Sequence, residues 1–464
     1  MLSVVAPAVE LNSQVARLRL VLRDYVALHC PASRLPIELW DLIFQECVPH
    51  PAEPSLRDAP VNLSQVCRRW RNIALSNPAL WSTIAITTTR SHSERGTALE
   101  PLHRMLQLWL RRSGTRALSV SLSQSDTVKS PGPISLLLDA VLAHATHLRS
   151  LEVRAPELCL FPFASHTLHL PVLEHLKIDT PWPRLAAPGF ALPLDSAPRL
   201  RTLSLLDATF AAAHISVFDA TRLTELTLLP HARAPPEVYW NSDDALTLLA
   251  EATHLRSLRL AINDVMPRRR TLAHAPVLRS LSLEFRDAFT SVPQRATRIG
   301  ALFSLLYTPA LQLLALLDRG AAHGGPLNPL LYAWPQAQFL AFLGATPLRV
   351  LHLEALPLYQ TQIVEALQRT PRLTALVLAA RARGSQRSVG DTLLAALTVL
   401  PLAPALRRVE FRHCGTRCTE QALIEMVEAR RGALQYLRVH RSALPSKDLV
   451  TRLARWNTVA DLQY

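Results

Sequence analysis

The chain has 464 residues, 49% of them hydrophobic, with a mean hydropathy of +0.14. That is ample material for a core but too long for one globule, so several units or one repetitive array are expected. The net charge of +14 rests on 47 arginines and three lysines, Lys129, Lys177 and Lys447, spread through an Ala-, Leu- and Pro-rich sequence whose longest basic block is Arg268-Arg269-Arg270. Without an aromatic-plus-basic platform this argues against nucleic acid as a partner.

Six cysteines without framework spacing fit reduced thiols, and the N-terminus lacks both a basic segment and a long apolar one. Two long uncharged stretches, 300–317 and 320–348, are broken by Pro309, Pro326, Pro329, Pro335 and Pro347 before they could span a bilayer. A cytoplasmic or nuclear protein with no membrane segment is expected.

In residues 1–34, Val9, Leu11, Val15, Leu18, Leu22, Tyr25 and Val26 recur at roughly helical steps, with Arg17, Arg19, Arg23 and Asp24 between or beside them. The spacing predicts a helix that packs beside the next element or against a second copy. Residues 35–81 follow. Ile37, Trp40, Ile43, Phe44 and Cys47 line one face of a helix opened by Pro36. Pro49, Pro51, Pro54 and Pro60 then exclude helix, and Val61, Leu63, Val66, Trp70 and Ile73 line one side of a second. Two or three short helices bury too little surface alone, so this unit should hold a partner.

That stretch resembles the F-box: Leu35-Pro36, Glu38-Leu39, Ile43-Phe44, then Val66-Cys67-Arg68-Arg69-Trp70-Arg71, closed by Asn77-Pro78 and Leu80-Trp81. Members of that family dock onto the Skp-type adaptor of a cullin-RING (SCF) ubiquitin ligase. By resemblance, Leu35, Pro36, Leu39, Ile43, Phe44, Val66 and Trp70 would form the adaptor-binding surface. The gap from Pro49 to Pro60 is longer than in the shorter members of the family.

Past residue 81, Trp81 to Ile86 and Ala117 to Leu122 alternate like strands, with a helix predicted over 99–112 between them. From about residue 148 the form L-x-x-L-x-L recurs in eleven segments, from Leu148-Leu151-Val153 to Leu434-Leu437-Val439, about 29 residues apart on average. The last two apolar residues of each segment alternate with polar ones, as in a strand buried on one face. Helical spacing follows at 242–253, 361–370, 391–400 and 419–431. The pattern resembles leucine-rich repeats. That family places Asn or Cys eight residues after the first Leu to close a turn; only Asn263 and Cys414 match here, so an irregular array is implied.

Candidate chemistry is sparse. His413, Cys414 and Cys418 lie close together but lack paired four-ligand spacing, and His166, His169 and His175 lack a nearby Cys or carboxylate pair, so no metal is expected. No phosphate-binding loop, dinucleotide fingerprint, H-E-x-x-H or G-x-S-x-G is present, so no catalytic residue or cofactor is assigned. The outward strand positions read as mixed charge early, as apolar in the middle (Leu313, Ala315, Leu317), and as basic-aromatic at the end. There Arg408, Arg412, Tyr436, Arg438 and His440 are the candidate substrate-binding residues, suited to an acidic or phosphorylated segment.

The expected fold is α/β: a helical hairpin at 35–81, then an irregular repeat solenoid over 82–464 with a curved parallel sheet and helices on its convex side. The resemblance implies a non-catalytic substrate-recognition subunit that binds a Skp-type adaptor, through it a cullin, and an unidentified protein substrate. A repeat scaffold acting outside any ligase is the alternative.

Overall fold

The computed structural model describes residues 13–22, 25, 31–49, 52–88, 99–125, 132–165, 168–181, 192, 194–207, 220–231, 234, 238–264, 272–286, 294–319, 334–379, 389–399, 402–412, 418–440 and 459–463. Contacts divide the chain into two compact units, Met1–Ile86 with Thr97–Ser121, and Thr87–Gly96 with Leu122–Tyr464.

In the first unit, residues 13–22 are helical, and Val15, Leu18, Leu20, Val21 and Leu22 are all exposed. The expected apolar seam of this helix is therefore uncovered, and Val9, Leu11 and Val26 lie outside the described residues. The next helix, Ile37–Cys47, buries Trp40 and Phe44. The proline-rich gap forms no helix among its described residues, and the predicted second helix is divided into Leu63–Val66 and Arg68–Ser76. Cys67 causes the division: its backbone is extended (φ −157°, ψ 170°), and its Sγ accepts the Trp70 N–H at 3.4 Å, capping the later helix.

Two tryptophans tie the rest of this unit together. Trp81 meets Trp109, from the helix Leu99–Ser113, edge to face at 4.7 Å. Both rings are buried, and their indole N–H groups donate to the carbonyls of Ala74 (2.7 Å) and Thr83 (3.0 Å). Helix 99–113, expected within the repeat region, thus packs with the N-terminal helices. Its amphipathic pattern was legible; the tryptophan that would receive it was not.

The second unit is built on a parallel sheet. Its strands are Leu148–Arg154, His175–Asp179, Thr202–Leu206, Glu225–Leu229, Ser257–Asp264, Ser280–Phe285, Leu313–Asp318, Val350–Glu354, Ala375–Ala379, Arg408–Arg412, Tyr436–His440 and Val459–Gln463. Each pairs with the next in chain order. Register follows the repeat: Leu151 lies opposite Leu176, Leu176 opposite Leu203, and so on to Val409 opposite Leu437. The three apolar positions of every segment are 4% exposed or less. Each such side chain contributes about 1.5–3 kcal/mol of burial, which makes these rows the main stabilising feature.

Helices Ser242–Glu251, Gln360–Arg369, Asp391–Thr398 and Glu420–Ala429 lie where helical spacing was read, joined by Gln294–Leu305 and Gln336–Gly344. From Gln294 onward, successive helices touch. One expectation changes, and two fall outside what the structure describes. Asn263 lies in the strand Ser257–Asp264, and its side chain lies outside the described residues. Cys414 lies outside the described residues. Ala315 and Leu317, read as outward and apolar, share the sheet face of Ser282 and Glu284 but are only 6% and 4% exposed.

Candidate functional site

Helix Ile37–Cys47 has two apolar faces. Trp40 and Phe44 point inward and form a cluster with Trp70, with centroids 4.8 Å (Trp40–Trp70), 5.1 Å (Phe44–Trp70) and 5.5 Å (Trp40–Phe44) apart. The other face is open: Leu39 is 45% exposed and Ile43 43%, with Ile37 and Leu42 exposed beside them. Val66, on the neighbouring short helix, is 60% exposed. Polar bonds fix the hairpin. Arg69 Nη2 donates to the Leu35 carbonyl at 2.8 Å, Arg71 Nε to the Ser64 carbonyl at 2.8 Å, and Asn77 Nδ2 to Asp41 Oδ1 at 2.9 Å.

The structure thus sorts the residues singled out by resemblance. Pro36, Leu39, Ile43 and Val66 are at the surface, and Leu35 is half-buried. Phe44, 0% exposed, and Trp70, half-buried against it, stand behind that surface and hold it in place. Ile37, on the same predicted helical face as Trp40 and Phe44, is open, and so is Leu42, which the sequence did not single out. The signal for Leu42 was its position three residues after Leu39, on the same helical face.

Apolar surface held open by a rigid aromatic core marks an interaction site. Comparison with known families gives it an identity: residues 32–87 match the F-box-like family model. No curated protein matches the chain. The chain therefore carries an F-box-like domain, of a kind typical of non-catalytic adaptor subunits that bind Skp-type proteins.

The C-terminal strands differ from expectation. Glu410 is 1% exposed, and both neighbouring arginines bind its carboxylate. Arg408 Nε donates to Oε1 at 2.9 Å with its Nη2 on the same oxygen, while Arg412 Nη2 donates to Oε2 at 2.7 Å. Arg408 also stacks over Tyr436, 4.5 Å from the ring centroid. Burial pushes the Glu410 carboxyl up, and the two arginine hydrogen bonds outweigh that and leave it below the usual range. Arg408 and Arg412 are thus both paired with Glu410. Arg438 lies in register with Glu410 and with Asp461, and the His440 side chain lies outside the described residues.

The same arrangement recurs upstream. Glu284, 4% exposed, takes Arg259 at 2.8 Å and Arg319 at 3.5 Å, and Arg319 continues to Glu354 at 2.7 Å. This sheet face therefore pairs its charges internally.

Among the described residues no group of three or more His, Cys, Asp or Glu could hold a metal. His166, His413 and Cys414 are outside those residues. Cys418 is buried, His169 and His175 are exposed, and burial pushes the Cys159 thiol up to about 12, which makes it inert. No described helix is long and apolar enough to cross a membrane.

Proposed function

We propose that the protein is a substrate receptor of an SCF-type ubiquitin ligase. Its F-box-like domain docks on a Skp-type adaptor, which links it to a cullin, and its leucine-rich-repeat solenoid recruits a target protein. The observation that carries this reading is the open row Leu39, Leu42 and Ile43, with Val66 also exposed, on a stretch that matches the F-box-like model. These side chains expose apolar area whose burial by a partner is favourable at about 25 cal/mol per Å².

The protein supplies no reacting group in this mechanism. It raises the effective concentration of a target lysine near the ligase-bound ubiquitin conjugate, so that transfer becomes quasi-intramolecular. The repeat sheet suits recruitment because stacked repeats offer an extended surface.

The test is complex formation between the full chain and a purified Skp-type adaptor, followed by size-exclusion chromatography. Wild type should co-elute with the adaptor, and Leu39→Asp with Ile43→Asp should not, with circular dichroism unchanged. No co-elution of wild type, or full retention by the double variant, would reject the ligase reading and favour a scaffold independent of ligases.

A further inference from the structure

The repeat unit carries a second polar feature, set apart from the ion-paired sheet face. The residue just after the first leucine of each repeat lies directly above its counterpart in the next. Arg201 N–H donates to Glu174 O, Thr224 to Arg201, Arg256 to Thr224 and Arg279 to Arg256, each at 2.8 Å. Such a ladder spaces successive rungs by about 4.8 Å. The residue just before each first leucine forms a parallel row, Arg199, Arg222, His254 and Val277. Because the leucine between them points into the core, both rows point out, and together they line an open groove of about 520 Å³.

Four guanidiniums, Arg199, Arg201, Arg222 and Arg256, and one carboxylate, Glu174, line that groove. Glu174 is already held by Arg149 at 3.0 Å, whose hydrogen bond keeps its carboxyl below the usual range, with Arg201 adding to the effect. Among the described residues Arg222 donates to the Pro198 carbonyl, at 2.8 Å, a neutral acceptor. All four arginines are exposed. On the sheet face each buried carboxylate has its arginines; in the groove the arginines outnumber the carboxylates.

We propose that this groove, along the edge where the strands begin, binds an extended acidic peptide segment. Arginine forks match carboxylates in bidentate geometry. An extended chain running along the ladder spans its rungs of about 4.8 Å within a few residues and so passes Arg201, Arg222 and Arg256 in turn. Single-stranded nucleic acid would need large aromatic platforms for its bases, and among the described residues no Phe, Tyr or Trp lines the groove. The inference goes beyond the docking reading and does not depend on it, since binding is measured with no adaptor present.

The test uses the full chain and a fluorescein-labelled octaglutamate peptide in fluorescence polarisation. Wild type should bind saturably and more weakly as salt rises. Replacing Arg201, Arg222 and Arg256 together with Ser should weaken binding by about ten-fold or more, as expected for loss of charge-assisted pairs. A control with the same charge change, Ser at exposed Arg369, Arg372 and Arg431, should stay within about two-fold because it removes only long-range attraction, which salt screens. Thermal melts of both triple variants should match wild type, and Arg256→Glu alone should also weaken binding. Three results would overturn the proposal: no binding by wild type, equal loss in both triple variants, or tighter binding of a labelled eight-nucleotide single strand that the groove variant loses.

Discussion

Leu39 and Glu410 are each the reverse of what their residue type favours. In the F-box-like unit a leucine stays 45% exposed, and in the repeat unit a glutamate on the charged sheet face is only 1% exposed. The difference lies in where each finds its partner. Glu410 has two guanidiniums supplied by its own strand, so its burial is compensated within the chain. Leu39 has no such cover, and its helix is held rigid by Trp40, Phe44 and Trp70 while its outer face stays open. One unit compensates its exception within the chain; in the other the exception stays open, as the proposed docking requires.

Four substitutions sharpen that contrast. The largest loss is expected from Trp81→Ala, which removes a buried indole, its contact with Trp109 and its bond to Ala74 O; about 3–5 kcal/mol should disappear from the denaturant unfolding of the first unit, followed by tryptophan fluorescence. Arg430→Met comes next. That side chain is 2% exposed and donates to the carbonyls of Leu397 (2.7 Å), Ala403 (3.1 Å) and Leu402, so removing it leaves several acceptors unpaired at a cost of about 2–4 kcal/mol. Smaller still is Glu410→Gln, about 1–2 kcal/mol at neutral pH, because Arg408 and Arg412 keep contact with water.

The Glu410 effect has a definite pH dependence. The folded carboxyl is held below its ordinary value, so its contribution is present above the unfolded value and is lost as pH falls through the lower folded one. Wild type and Glu410→Gln should therefore converge in stability on acidification, and parallel curves would contradict the burial geometry. The smallest change is Leu39→Ser, within about 0.5 kcal/mol in thermal unfolding, although adaptor docking should be lost. A large destabilisation there would mean that the open face is covered within the chain.

Most of the repeat fold is legible in the sequence because leucine occupies nearly every inward slot. All eleven strands lie where L-x-x-L-x-L occurs. The twelfth, Val459–Gln463, escaped notice because its register places Ala460 opposite Leu437 and so weakens the pattern. Helix Gln336–Gly344 escaped for the opposite reason: Phe339, Phe342 and Leu343 lie among further apolar residues, leaving little contrast at the helical period.

At the docking site, the residue types of the motif were legible but not their division between core and surface. Phe44 and Ile43 are adjacent in sequence, and only the presence of Trp70 decides which one is enclosed. The ion pairs were hidden for a related reason. Arg408, Glu410 and Arg412 share one strand face, and their composition alone does not reveal that the carboxylate lies between and beneath the guanidiniums.

Arg430 also bears on how the molecule comes apart. Its guanidinium sits at the end of one repeat's helix, while the carbonyls it binds belong to the preceding repeat, 27 to 33 residues earlier. Strands that pair only with their sequence neighbours can fray one at a time from an end, since each boundary is a local coupling. A buried cation shared across one boundary strengthens that coupling, because opening that boundary strands an arginine and three acceptors together. The segments 391–412 and 418–440 should therefore open as one cooperative unit, with amides in both exchanging hydrogen at a common rate.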